Sequence, residues 1–227
     1  MNNFELLKDS DLLDNPTARV PVCLCLDVSG SMEGAPINEL NQGVRLFYDA
    51  IREDENAFYS AEVCVVTFGG QEKCITDFSR LEFQPDAPTL NAFGSTPMGE
   101  GVNLALDLLE NRKEAYKDCG DDYYQPWLVL MTDGRPNGNS ATLKRAIERT
   151  TALIDQGKLM LFPIGIGAEA DMETLAQFSP KRRPVKLQGL KFKEFFAWLS
   201  RSVSKTSQST PGESIKLDSI SDWSSLD

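Results

Sequence analysis

The sequence predicts an α/β protein of three layers: a central, mostly parallel sheet with one antiparallel edge strand, and helices on both faces. Three observations carry this expectation. Two apolar runs, 20–28 and 125–137, lead into an acid and a turn. Segments of helical periodicity separate the strand-like runs. One stretch, 61–78, reads as two strands around a tight glycine turn. Alternation of strand and helix is the pattern of a parallel sheet covered on both sides.

The run VPVCLCLDV, residues 20–28, suits a central strand buried on both faces. A helix follows from Pro36 to Arg52, because Ile37, Leu40, Val44, Phe47 and Ile51 recur at spacings of three and four. Pro36 fits its first turn. AEVCVVTFGGQEKCITDF, residues 61–78, is the hairpin, placed at a sheet edge. Pro85, Pro88 and Gly94 mark residues 79–95 as irregular. Val102, Ala105, Leu106 and Leu109 make one face of a helix from Met98 to Arg112. QPWLVLMTDGRPN, residues 125–137, repeats the theme of the first strand. Helices over 141–156, 171–178 and 190–203 and strands over 158–167 and 184–187 complete the alternation.

These elements define a domain over 19–204, an N-terminal extension over 1–18 and a Ser- and Asp-rich tail over 205–227. The tail's composition predicts flexibility. Ile215, Leu217, Ile220, Trp223 and Leu226 are out of place in such a tail. They suit a segment that packs back on its own domain or a short docking motif for another protein. Its serines and those just before it, Ser204, Ser207 and Ser209 among them, are candidate phosphorylation sites.

A chain of 227 residues with 41% apolar and 25% charged residues can bury one sizeable core. Its net charge of −11 argues against nucleic acid and anionic membrane surfaces as partners. With no histidine, imidazole acid–base chemistry is excluded and zinc is disfavoured. Five cysteines without a C-x-x-C pair read as free thiols in a reducing compartment, and C-x-C at Cys23 and Cys25 as part of a strand. The N-terminal segment lacks the basic and apolar regions of a signal peptide, and no apolar run reaches the roughly 18 residues of a membrane span. The expectation is a cytoplasmic protein.

Three segments carry the candidate chemistry. Asp27, Ser29 and Ser31 offer oxygens at alternate positions in the turn leaving the first strand, with Gly30 expected to let the backbone turn sharply. Thr96 lies in Gly94-Ser95-Thr96-Pro97, just before a helix, where helix capping is the plain reading. Asp133 follows a strand in Thr132-Asp133-Gly134, where an Asp-Gly turn is the plain reading. Ligands of open parallel sheets bind beyond the carboxyl ends of the strands. Three loops bringing short, hard oxygen donors to that edge point to a divalent cation, Mg²⁺ by default or Mn²⁺ or Ca²⁺.

On these residues the chain resembles the von Willebrand factor A domain family, whose fold is Rossmann-like. The resemblance covers about residues 20–203. It implies that Asp27, Ser29, Ser31, Thr96 and Asp133 form a metal-ion-dependent adhesion site, in which the cation accepts a carboxylate from a protein partner. NPTARVPVCLCLDVSGSM and STPMGEGV are similar to stand-alone bacterial proteins of tellurite-resistance and stress clusters. That likeness implies a regulator or adaptor in a stress or defence system, tied to a kinase or phosphatase. The alternative is an adaptor for an AAA-type ATPase.

Enzymatic readings fit less well. A haloacid-dehalogenase-type phosphatase carries a second Asp two residues after its nucleophile, where this chain has Ser29. The first strand–helix turn lacks G-x-G-x-x-G, and Gly165-Ile-Gly167 is only a partial match. The sequence therefore reads as a binding module rather than an enzyme.

Overall fold

The computed structural model describes residues 17–84, 86–213, 215–221 and 223–225. Strands β1 (Val20–Asp27), β2 (Ala61–Gly69), β3 (Gln71–Thr76), β4 (Trp127–Thr132), β5 (Met160–Ile166), β6 (Val185–Leu187) and β7 (Ser224–Ser225) form one sheet in the order β3-β2-β1-β4-β5-β6-β7. The five strands from β2 to β6 in that order are parallel, and β3 and β7 close the two edges antiparallel. The helices are α1 (Ala35–Glu53), α2 (Glu55–Ser60), α3 (Met98–Cys119), α4 (Ser140–Asp155), α5 (Met172–Phe178) and α6 (Phe192–Ser207).

Alternation along β1 explains the layers. Val20, Val22, Leu24 and Leu26 face one side, where they join Leu40, Val44 and Phe47 of α1 and Phe192, Phe196 and Leu199 of α6. Cys23 and Cys25 face the other, with Val102, Leu106 and Leu109 of α3, Ala146 of α4 and Leu175 of α5. Every β1 residue is buried, as a strand covered on both sides requires. The chain moves from β1 to β2 on one side and to β4 on the other, so the strand order reverses between β1 and β4.

Helix α3 runs seven residues past the predicted end at Arg112, to Cys119. The extension looks polar in sequence because its core-facing groups are an ion pair. Arg112 donates from Nε and Nη2 to Glu62 (2.6 and 2.8 Å), and the Tyr116 hydroxyl donates to the same carboxylate. Glu62 is fully buried at the start of β2. The short helix α2, absent from the expectation, is capped by Asp54, whose Oδ1 accepts from Ala57 N.

The tail is not the flexible segment its composition predicts. Trp223 is buried, its ring 4.9 Å from Phe195 and 5.3 Å from Trp198, and Leu217 and Ile220 pack against the same core. Gln188 N donates to Trp223 O, and the chain then adds β7 beside β6. The physical reason is an apolar groove beside α6 that these side chains fill, which is the packed-back reading. Residues 1–16 of the predicted extension, and Leu226, lie outside the described residues. Among the described residues no helix is long and apolar enough to cross a membrane.

Candidate metal centre

Asp27 ends β1 and is fully buried. Leu26 is in register with Met131, so one step further along the strands sets Asp27 beside Thr132. Thr132 Oγ1 donates to Asp27 Oδ2 at 2.6 Å, and Ser29 N donates to Oδ1 at 2.8 Å. The carboxylate is thereby fixed at both oxygens. The Ser29 and Ser31 hydroxyls lie 3.1 Å apart, and Ser31 Oγ donates to Asp133 Oδ1 at 2.8 Å. Hydrogen bonds from the Ser29 N–H and the Ser29 and Ser31 hydroxyls thus link four of the five predicted residues, where the strand order reverses.

Thr96 reaches this edge through its backbone. Its N–H donates to Asn137 Oδ1 at 2.7 Å, and its carbonyl accepts from Asn137 N at 3.1 Å. That clasp ties the Thr96 loop to the loop following β4. On the other side Gly30 N donates to Gly94 O, and Gly70 N to Ser95 O. Gly94 has φ +72°, and a Cβ there would stand 2.6 Å from Gly70 Cα, so this crossing of loop and hairpin requires glycine. Helix α3 opens at Met98 with Pro97 in the capping position and no side-chain cap, so capping does not occupy Thr96. Gly30 also differs from expectation. Its φ is not positive, and its role is the hydrogen bond to Gly94.

Burial pushes the Asp27 carboxyl up to about 6, against the lowering effect of hydrogen bonds from Ser29 and Thr132. Burial also raises Asp133, opposed by Ser31. Among the described residues the hydrogen bonds to these two carboxylates come from uncharged groups. Two acids that resist ionisation, held among hydroxyls, make a donor set of hard oxygens with no positive charge of its own. Such a set fits a hard divalent cation.

Sequence reasoning did not single out Thr132 and Asn137. Both lie in the quoted run 125–137, and the signal was parity: a hydroxyl at the last position of the strand adjoining Asp27. It also missed Phe93, which is 73% exposed beside the site. Phe93 N donates to Val28 O at 2.7 Å, and its ring lies over Gly70.

A model of the von Willebrand factor type A domain matches residues 22–187. Solved structures give the same fold. The von Willebrand factor type A protein from Catenulispora acidiphila aligns over 84% of this chain and 43% of its own, at 19% identity and a TM-score of 0.63. The vWF domain of the type V pili tip protein Mfa5 from Porphyromonas gingivalis aligns over 87% of this chain and 99% of its own, at 10% identity and a TM-score of 0.67. Proximal thread matrix protein 1 from the mussel byssus aligns over 85% and 47%, at 16% identity and a TM-score of 0.58. The chain thus spans less than half of the first and last of these. No curated protein matches it in sequence. With the family model covering most of its length and the fold agreeing, the chain belongs to the von Willebrand factor type A domain family.

Proposed function

We propose that the protein is a binding module that uses a divalent cation at Asp27, Ser29, Ser31, Thr96 and Asp133 to engage a carboxylate of a protein partner. One observation carries the reading: the hydrogen-bonded cluster from Asp27 through Ser29 and Ser31 to Asp133, at the carboxyl edge of the two central strands. When bound, the cation supplies a positive centre for an acidic side chain. The protein's own residues hold it and set the access. Asp27 and Ser29 are buried, whereas Ser31 is exposed and Asp133 partly so, which leaves the outer side of the site to a partner. Three of the five donors are neutral hydroxyls, so the two carboxylates do no more than neutralise the ion and leave no excess negative charge to repel a partner's carboxylate.

Phe93 supports the same reading. An exposed aromatic ring at the rim of a charged centre is suited to pack against an apolar neighbour of the partner's acid. No disulfide joins Cys23, Cys25, Cys64, Cys74 and Cys119, consistent with a cytoplasmic setting. Similarity to bacterial stress and tellurite-resistance proteins extends the proposal to a regulator or adaptor that works with a kinase or phosphatase, and not to an enzyme.

The test is affinity capture in Mg²⁺ and in EDTA, with wild type, Asp133→Ala and Phe93→Ala. The expected result is a protein captured by wild type in Mg²⁺, captured less by Phe93→Ala, and not captured in EDTA or by Asp133→Ala. Capture that ignores both EDTA and Asp133→Ala would sink the proposal.

A further inference from the structure

A second cluster of ligating atoms lies in the hairpin, away from the oxygen site. The sulfurs of Cys64 and Cys74 and a carboxylate oxygen of Asp77 all lie within 4.8 Å of one another. Register explains how they meet. In an unbroken strand, residues 74 and 77 would point to opposite faces, because side chains alternate. Here Val66 pairs with Cys74 but Val65 pairs with Thr76, so Ile75 is an extra residue in β3. This bulge reverses the parity after position 74 and turns Asp77 to the side of Cys64 and Cys74. Bulges commonly re-aim a side chain at a functional position.

We infer that Cys64, Cys74 and Asp77 form a site for a thiophilic divalent cation such as Zn²⁺, with a fourth position open to solvent. Cysteine thiolate and aspartate carboxylate are each zinc ligands, and three protein ligands leave a fourth position for water. Tetrahedral coordination needs donors about 3.5–3.8 Å apart, so the side chains must draw in by roughly 1 Å at most. Cys64 is buried and anchors the site, Cys74 is exposed and gives the ion an entry path, and Asp77 lies between these extremes. Asp77 Oδ1 already accepts from Phe78 N at 2.8 Å, which orients the carboxylate.

The sequence disfavours zinc because it has no histidine and because Cys23 and Cys25 lie within one strand. This site draws its thiols from two strands, which no local spacing reveals. Cys23 stands beside Cys64 in the register of β1 and β2. Thiolate is the ligating form, so binding releases thiol protons to the buffer and affinity rises with pH.

The test titrates reduced, metal-free protein with Co²⁺ under anaerobic conditions. One equivalent is expected to give thiolate-to-cobalt charge-transfer absorption that Zn²⁺ displaces. Cys74→Ser removes this band, and Asp77→Asn weakens binding about tenfold or more. Cys74 is exposed, so its variant keeps the fold, and a melting curve of the metal-free variant checks this. Asp133→Ala leaves the band intact, which separates this site from the oxygen site. Absence of the band, its survival in Cys74→Ser or its loss in Asp133→Ala overturns the proposal. So does a reduced protein that binds no Co²⁺ and only forms a Cys64–Cys74 disulfide on oxidation.

Discussion

Ser31 Oγ donates to Asp133 Oδ1 at 2.8 Å, joining the turn after β1 to the turn after β4 across 102 residues of sequence. The bond joins two groups that a cation at this site would draw on together. Removing either partner should therefore affect cation binding more than folding, since both sit at the rim of the site.

Thermal unfolding tests this directly. Mg²⁺ at about 100 times its Kd is expected to stabilise wild type by about 2.7 kcal/mol. Asp133→Ala and Ser31→Ala should lose most of that response while melting close to metal-free wild type. A full Mg²⁺ response in Asp133→Ala would contradict the assigned donor set.

Asp27 makes stability depend on pH with a definite sign. Its folded-state value of about 6 lies above the ordinary 3.8, so the folded protein binds this proton more tightly than the unfolded chain. Metal-free stability therefore falls as pH rises through this window, by an amount on the order of 3 kcal/mol, and the deficit persists above it. Asp27→Asn should be more stable than wild type in EDTA at about pH 7.5, with the gap closing towards about pH 4.5. Denaturant titrations at both pH values measure it. A variant less stable than wild type at the higher pH would count against burial as the dominant influence on Asp27.

The Glu62–Arg112 pair is a structural device at the opposite end of β2 from the site. Arg112→Met leaves a buried carboxylate short of its bidentate partner and is expected to destabilise by about 3–5 kcal/mol. Arg19, also fully buried, is 3.9 Å from Glu62 and cannot replace the two lost hydrogen bonds from that distance. Urea unfolding gives the value, and a loss below about 1 kcal/mol would show the pair to be dispensable.

Trp223 anchors the tail. Trp223→Ala removes a buried indole from between Phe195 and Trp198 and should cost about 3–5 kcal/mol. Proteolysis after Gln208 should speed up with it, because Gln188 N and the edge of β6 lose their cover. Unchanged melting and cleavage would mean that the tail does not contribute to the fold.

Local sequence determined the layers and pointed to most of the candidate site. Periodicity of 2 or 3.6 reports which face of a segment is apolar, and the acids at strand ends stand out against runs such as LCLD and LVLMTD. Asp27, Ser29 and Ser31 were legible because they are close together in the chain, and Asp133 because it repeats the first strand's ending. Only the tertiary structure decided which groups meet. Thr132 serves Asp27, and Asn137 clasps Thr96, because β4 lies beside β1 in one particular register. Arg112 and Tyr116 look like solvent-facing residues until Glu62 is brought beneath them. Cys74 and Asp77 share a face only because a single extra residue shifts the pairing with β2. Contacts between polar groups far apart in sequence depend on strand order and register. These are set by burial summed over the whole core, and no short window of sequence contains that sum.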